Sequence, residues 1–231
     1  MGKDKNIIVI IPARGKSKGI PKKNIVDFLG KPLLAWSIED AKNSRLINAV
    51  YVSTDDKEVA EIAKAYGAEV IWRPKEISGD FSLSEEALAH ALGEITKRDS
   101  VRIDYVVFLQ ATSPLRDASD IDKAIEKIVA ERADSLFSAA DIGDFLVWRK
   151  NGHALESVNY DYKNRKRRQD FGKQFVENGS LYIFNPEILY KQHNRLGGKI
   201  AISEMSLWKS FEVDTIEDLN FCKKLYQIYY G

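Results

Sequence analysis

The chain opens with a run of five β-branched residues at 7–11, closed by Pro12. An unbroken apolar run of this length, without polar alternation, predicts a strand covered on both faces, as in a parallel sheet. Apolar residues recur with helical spacing over 33–41, and a second strand-like run at 49–52 completes a strand-helix-strand unit. The alternation continues, predicting helix over 59–66, strand over 70–72, helix over 85–95, strand over 105–109 and helix over 121–130. This order predicts an α/β fold: a three-layer, doubly wound, mostly parallel sheet that binds ligands in the loops at the carboxyl ends of its strands.

Beyond the strand-like stretch 135–140 the pattern breaks. A hairpin-like segment over 145–150 turns at Asn151-Gly152, and a polar, basic stretch follows to Arg168. The stretch 141–176 is too long for a structureless loop inside a compact domain, so it predicts an inserted arm that packs on something else, and with it a homodimer. A strand over 180–184 and a helix over 215–230, capped by Asp214 or Thr215, close the chain. The expected organisation is one domain over 1–231 with the 141–176 arm inserted in it.

Composition narrows the chemistry. A formal net charge of +1 over 231 residues supplies no global field for nucleic acid or an acidic membrane surface. Cys222 is the one cysteine, and His90, His153 and His193 are scattered. An internal disulfide and a thiolate zinc site are therefore excluded, and any required metal is expected to be a hard, oxygen-ligated ion. The run 7–11 is far short of the roughly 18 residues that span a bilayer, so cytoplasm is the expected compartment.

The loop after the first strand, Pro12 to Asn24, carries five cations and no acid. Glycines at 15 and 19 let the backbone approach an anion, while Arg14, Lys18 and Lys23 supply charge-assisted bonds, so the loop reads as a polyanion cradle. It fits neither the dinucleotide-binding glycine pattern nor the P-loop pattern. A solvated, lysine-rich turn is the plainer alternative.

Ile11-Pro12-Ala13-Arg14, then Ser17-Lys18-Gly19-Ile20-Pro21-Lys22-Lys23-Asn24, resembles the signature of the acylneuraminate cytidylyltransferases, and Leu109-Gln110-Ala111-Thr112-Ser113-Pro114-Leu115-Arg116 supplies a second, unrelated match. Further correspondences are Ser53-Thr54-Asp55, Arg73-Pro74, 80–84, Asn178-Gly179-Ser180-Leu181-Tyr182 and Val213-Asp214-Thr215. The resemblance implies a Rossmann-like nucleotidyltransferase that joins CMP from CTP to a nonulosonic acid: N-acylneuraminate, legionaminate, pseudaminate or deaminated neuraminate. It implies that Ala13, Arg14, Lys18, Lys23, Asn24, Arg73 and Ser84 hold the nucleotide, and that Gln110, Thr112, Ser113, Arg168, Asn178 and Tyr182 hold the sugar. Arg14, Lys23, Gln110 and Asp214 would carry the catalysis, with Mg²⁺ on Asp214 and Glu212.

The residues themselves leave alternatives. Asp214 directly before a helix reads equally as an N-cap. Glu212 stands where the resemblance wants an aspartate, which leaves a second metal ligand open. Arg73 reads also as a surface ion pair, Gln110 as a cap of neighbouring backbone, and the basic run 163–168 as a solvated loop. A cytidylyltransferase for the eight-carbon sugar Kdo is the closest alternative activity, and a sugar-1-phosphate nucleotidyltransferase a more distant one.

Overall fold

The computed structural model describes residues 5–231, the side chain of Arg168 excepted. In chain order its elements are β1 (Ile7–Pro12), β2 (Asp27–Phe28), β3 (Lys31–Pro32), α1 (Leu33–Asn43), β4 (Ala49–Thr54), α2 (Lys57–Ala65), β5 (Glu69–Trp72), α3 (Ser84–Asp99), β6 (Tyr105–Leu109), α4 (Ala118–Glu131), β7 (Ser135–Asp141), β8 (Trp148–Asn151), β9 (Ala154–Ser157), β10 (Phe175–Phe184), α5 (Pro186–Gln192), β11 (Ile200–Glu204) and α6 (Ile216–Tyr230). The main sheet runs in the order β11-β7-β10-β6-β1-β4-β5. β10 is antiparallel to both of its neighbours, and the remaining pairs are parallel.

β1 is central, and its sequence follows from that place. Ile7, Val9 and Ile11 pack with Leu34 and Ile38 of α1, Val59 and Ala63 of α2, and Ile121, Ile125 and Ile128 of α4. Ile8 and Ile10 face the other way, onto Leu88, Leu92 and Ile95 of α3. With both faces covered, no position is left for a polar residue. Each fully buried aliphatic side chain contributes about 1.5–3 kcal/mol, so a charged residue at Val9 would break the sheet at its centre.

A third apolar cluster positions the ligand loops. Ile20 of the first loop, Phe28, Leu33, Leu115 of the loop after β6, Val213, and Leu219 and Cys222 of α6 bury one another. Loops that start from different strands are thereby fixed to a single C-terminal helix. Around this cluster Phe28, Trp36 and Tyr226 meet edge to face, with ring centroids 4.6–5.9 Å apart.

Helix boundaries follow their caps. α2 starts earlier than its periodicity suggests because the Asp56 carboxylate accepts from Val59 N–H at 3.0 Å. Thr215, not Asp214, caps α6: it accepts from Asp218 N–H at 3.2 Å, and Asp218 returns the bond to Thr215 N–H at 2.8 Å. The strand expected over 180–184 begins at Phe175, since its pairing with β7 continues past a bulge to Val176 and Glu177. In the arm, β8 and β9 form a two-stranded hairpin whose two-residue turn is Gly152-His153, one residue later than expected, because Asn151 still pairs with Ala154. Phe145, Trp148, Leu155 and Val158 stay exposed there.

Candidate active site

The carboxyl ends of β1 and β5 open on a cleft of about 570 Å³. Arg14, Lys18, Lys23, Asn24, Arg73, Ser84 and Asp214 are among the residues that line it. Buried Asn24 ties the first loop to itself, its Nδ2 donating to the Arg14 carbonyl at 2.8 Å. The Arg14 guanidinium donates to the Gly79 carbonyl and lies 3.5 Å from one Asp80 oxygen, while Lys18 Nζ lies 3.5 Å from the other. Lys23 Nζ is 2.6 Å from Asp214 Oδ1. The loop's cations are thus held by exposed acids that a more highly charged anion can displace.

Arg73 is not a surface ion pair. It is 8% exposed, and its guanidinium donates to Ser53 Oγ at 3.1 Å and to the Ser53 carbonyl at 2.5 Å. Burial pushes it down to about 10, with Asp55 opposing and Arg14 reinforcing the shift, so it keeps its charge at neutral pH. Ser84 opens α3, whose first-turn N–H groups favour negative charge at this end of the cleft.

The loop after β6 is built on a buried cation. Arg116 is 2% exposed and donates to the carbonyls of Gln110, Ser113 and Ser180 at 3.0–3.1 Å, and also to Ser37 Oγ. Burial lowers its proton affinity, and Asp40 is the first of the acids that oppose this. The Gln110 main-chain carbonyl accepts from Arg116 at 3.1 Å and from Ser37 Oγ at 3.4 Å, while its side-chain amide makes no hydrogen bond to the protein among the described residues.

Two glycines join the loops. A Cβ at Gly19 would fall 2.2 Å from the Asp214 carbonyl oxygen, so the first loop and the segment before α6 touch backbone to backbone. Gly179, at φ +69°, leaves room where a Cβ would meet Glu212 Oε1 at 1.9 Å and Gln110 Nε2 at 2.9 Å. Thr112 Oγ1 donates to Glu212 at 3.5 Å, and Val213 N–H to the Thr112 carbonyl at 2.8 Å. Burial, then the charge of Asp214, pushes the Glu212 carboxyl up. Two carboxylates of unlike exposure therefore converge at the junction of the first, middle and last loops.

Not every residue expected at the site presents a polar group to it. Ala13 is fully buried in the core and donates its N–H to the Ser53 carbonyl at 2.9 Å, so its side chain serves packing. Ser113 is 1% exposed. Asn178, expected at the sugar, is buried and bonded inward, accepting from Ser138 Oγ at 2.5 Å and from Ser180 N–H at 3.2 Å: it shapes the bulge instead. Tyr182 stacks on Phe108 and spends its hydroxyl on Glu177. The side chain of Arg168 lies outside the described residues. Glu85 and Glu177 received no role from the sequence, because isolated charged residues at loop and element ends carry no periodic signal.

A family model described as cytidylyltransferase matches residues 8–230. A pseudaminic acid cytidylyltransferase of Campylobacter jejuni is 34% identical over 96% of this chain and 96% of its own. N-acylneuraminate cytidylyltransferase A of Danio rerio is 37% identical over 92% of this chain, which spans about half (49%) of that relative. Among solved structures, a CMP:2-keto-3-deoxy-manno-octonic acid synthetase complexed with CTP superposes with a TM-score of 0.73 at 19% identity, covering 97% of this chain and 99% of the other, a likeness of fold.

Proposed function

The chain belongs to the cytidylyltransferase family, and from that premise we propose that this nucleotidyltransferase joins CMP from CTP to the anomeric hydroxyl of a nonulosonic acid. One observation carries the reading: exchangeable cations Arg14, Lys18 and Lys23 line one cleft, whose edge at Lys23 and Asp214 leads through Glu212 to Gln110, with Gly19 and Gly179 at the close approaches. The cationic half suits a triphosphate. The half with Gln110, Thr112 and Glu212 suits a hydroxyl-rich acceptor.

In this reading the anomeric oxygen attacks the α-phosphorus of CTP. A new O–P bond forms as the bond to the β-phosphate bridging oxygen breaks, and pyrophosphate leaves with that electron pair. The protein contributes position and charge. Arg14 and Lys23 bind the phosphates, Asn24, Arg73 and Ser84 place the nucleoside, and Gln110 orients the acceptor.

The donor set fits a hard divalent cation. Asp214 and Glu212 offer two carboxylates at one junction, and among the described residues no group of three metal-ligating side chains occurs. Mg²⁺ typically takes one or two carboxylates together with phosphate oxygens and water. Asp214 and Glu212 would hold it, and when bound it would neutralise phosphate charge.

The exposed apolar side chains of the arm support a homodimer in which the segment around Arg168 reaches a partner's acceptor side. Light scattering at micromolar concentration is expected to give the dimer mass, and a monomer would remove the arm from the site. For the reaction, pyrophosphate release is measured with CTP and Mg²⁺ against N-acetylneuraminate, deaminated neuraminate, legionaminate, pseudaminate and Kdo. Turnover with a nonulosonate is expected. Turnover with Kdo alone, or none while CTP binds, would overturn the reading.

A further inference from the structure

Arg116 ends the run 109–116, and the reaction as described gives it no part. Burying a guanidinium this deeply is costly unless its charge and its donors are met. Among the described residues no carboxylate bonds it, and Asp40, Asp120 and Glu212 oppose its desolvation only through space. Its donors go instead to neutral oxygens on separate segments. Nη1 donates to the Gln110 and Ser113 carbonyls of its own loop and, on β10, to the Ser180 carbonyl at 3.1 Å and Oγ at 3.3 Å. Nη2 donates to Ser37 Oγ in α1.

These bonds converge on one residue. The Gln110 carbonyl accepts from Arg116, from Ser37 Oγ and from Ser113 N–H, and Gln110 N–H donates to the Ser180 carbonyl at 3.3 Å. The main chain of Gln110 is therefore bonded at both ends, while its side-chain amide is left open. A Cβ at Gly179 would fall 2.9 Å from Gln110 Nε2, so the amide rests against Gly179, and the next residue is Ser180, which Arg116 also holds. Arg116 thus fixes both the backbone that carries the amide and the strand segment it rests on. A planar fork of donors can serve these spread oxygens together, and a single ammonium cannot.

We propose that Arg116 is a positioning residue for the transfer: it holds the main chain of Gln110 from the buried side, with Ser37 alongside, so that the open amide meets the acceptor sugar in one orientation. This rests on the reading of the cleft as a CTP and nonulosonate site.

The test is a double-mutant cycle of Arg116→Lys and Gln110→Ala, read by steady-state pyrophosphate release and by titration calorimetry with CTP. Lysine keeps the charge and loses the fork, so the main chain of Gln110 loses its fixed place. A misplacement of about 1 Å costs about 100-fold in rate. Arg116→Lys is therefore expected to lower kcat/KM for the acceptor about 10- to 100-fold, while the CTP dissociation constant stays within about threefold. In the Gln110→Ala background the same substitution is expected to change kcat/KM by less than about threefold, because the amide it positions is gone. Should Arg116→Lys not fold, Ser37→Ala takes its place in the cycle, with an expected loss of about 3- to 10-fold that disappears in the Gln110→Ala background. Equal losses in both backgrounds would assign Arg116 to the stability of the loop as a whole and overturn the proposal, as would an equal fall in CTP affinity or unchanged kinetics. Absence of wild-type turnover with every nonulosonate, while CTP binds, overturns the functional reading and this one with it.

Discussion

Gly179→Ala separates folding from catalysis at a single position. An alanine at φ +69° carries a left-handed backbone penalty of about 1–2 kcal/mol. For a chain of this size each kcal/mol lowers Tm by about 2–4 °C, so a fall of about 2–8 °C is expected. Native stabilities of about 5–15 kcal/mol leave such a variant folded at 25 °C. The catalytic effect has a different origin. The new Cβ would sit 1.9 Å from Glu212 Oε1 and 2.9 Å from Gln110 Nε2, where carbon contacts want roughly 3.5 Å. Glu212 must retreat by more than about 1 Å, and a displacement of that size in a positioned site costs about 100-fold in rate. Pyrophosphate release read beside scanning calorimetry is therefore expected to show kcat/KM falling about 100-fold in a protein that is still folded. Wild-type kcat/KM in that folded variant would refute the claim that Gly179 makes room for the catalytic groups.

Lys23→Ala and Arg14→Ala each remove a charge-assisted phosphate bond, and titration calorimetry is expected to show CTP affinity falling about 10- to 100-fold for each. Burial raises Asp40 to about 7, with Arg116 opposing it, so its contribution is fully present below the ordinary carboxylate value of about 3.9 and is lost as pH rises through about 7. Asp40→Asn removes that dependence. Its Tm is expected to gain on the wild type between pH about 4 and about 7 and to hold the gain above, whereas parallel Tm curves would contradict the assignment. Lys209, 8% exposed, donates to Asp117 at 2.7 Å and to buried Asp120 at 2.6 Å; Asp117 keeps Ser119 and Tyr230 as donors, but Lys209→Met takes the cation from Asp120 at a cost of about 3–5 kcal/mol, visible as a Tm lower by about 10 °C.

The parts legible in the sequence are those where one physical demand acts on consecutive residues. A strand covered on both faces writes an unbroken apolar run, as at 7–11, and a polyanion site concentrates cations in one loop, as at 12–24. β11 and α5 were missed because their burial is partial and broken: in β11 only Ala201 and Ser203 are buried, and in α5 only Leu189. The choice between Asp214 as cap and as ligand was undecidable locally. It depends on Lys23, far away in the chain, which holds the carboxylate while Thr215 takes the cap. The inward bonding of Asn178 is illegible locally for the same reason, since its partners Ser138 and Met205 lie far from it in the chain.

The strand order also sets a sequence of events during synthesis. β1, β4, β5 and β6 emerge first and are neighbours, so that half of the sheet can assemble as the chain leaves the ribosome. β7 cannot join it. Its neighbours are β10 and β11, both made after the arm, and β10 alone connects it to β6. Until β10 arrives, Leu136, Ala139 and Ala140, all buried in the finished protein, belong to an unpaired strand beside an open edge of the sheet. That interval is when the nascent chain is most exposed to aggregation, and when a chaperone has most to shield.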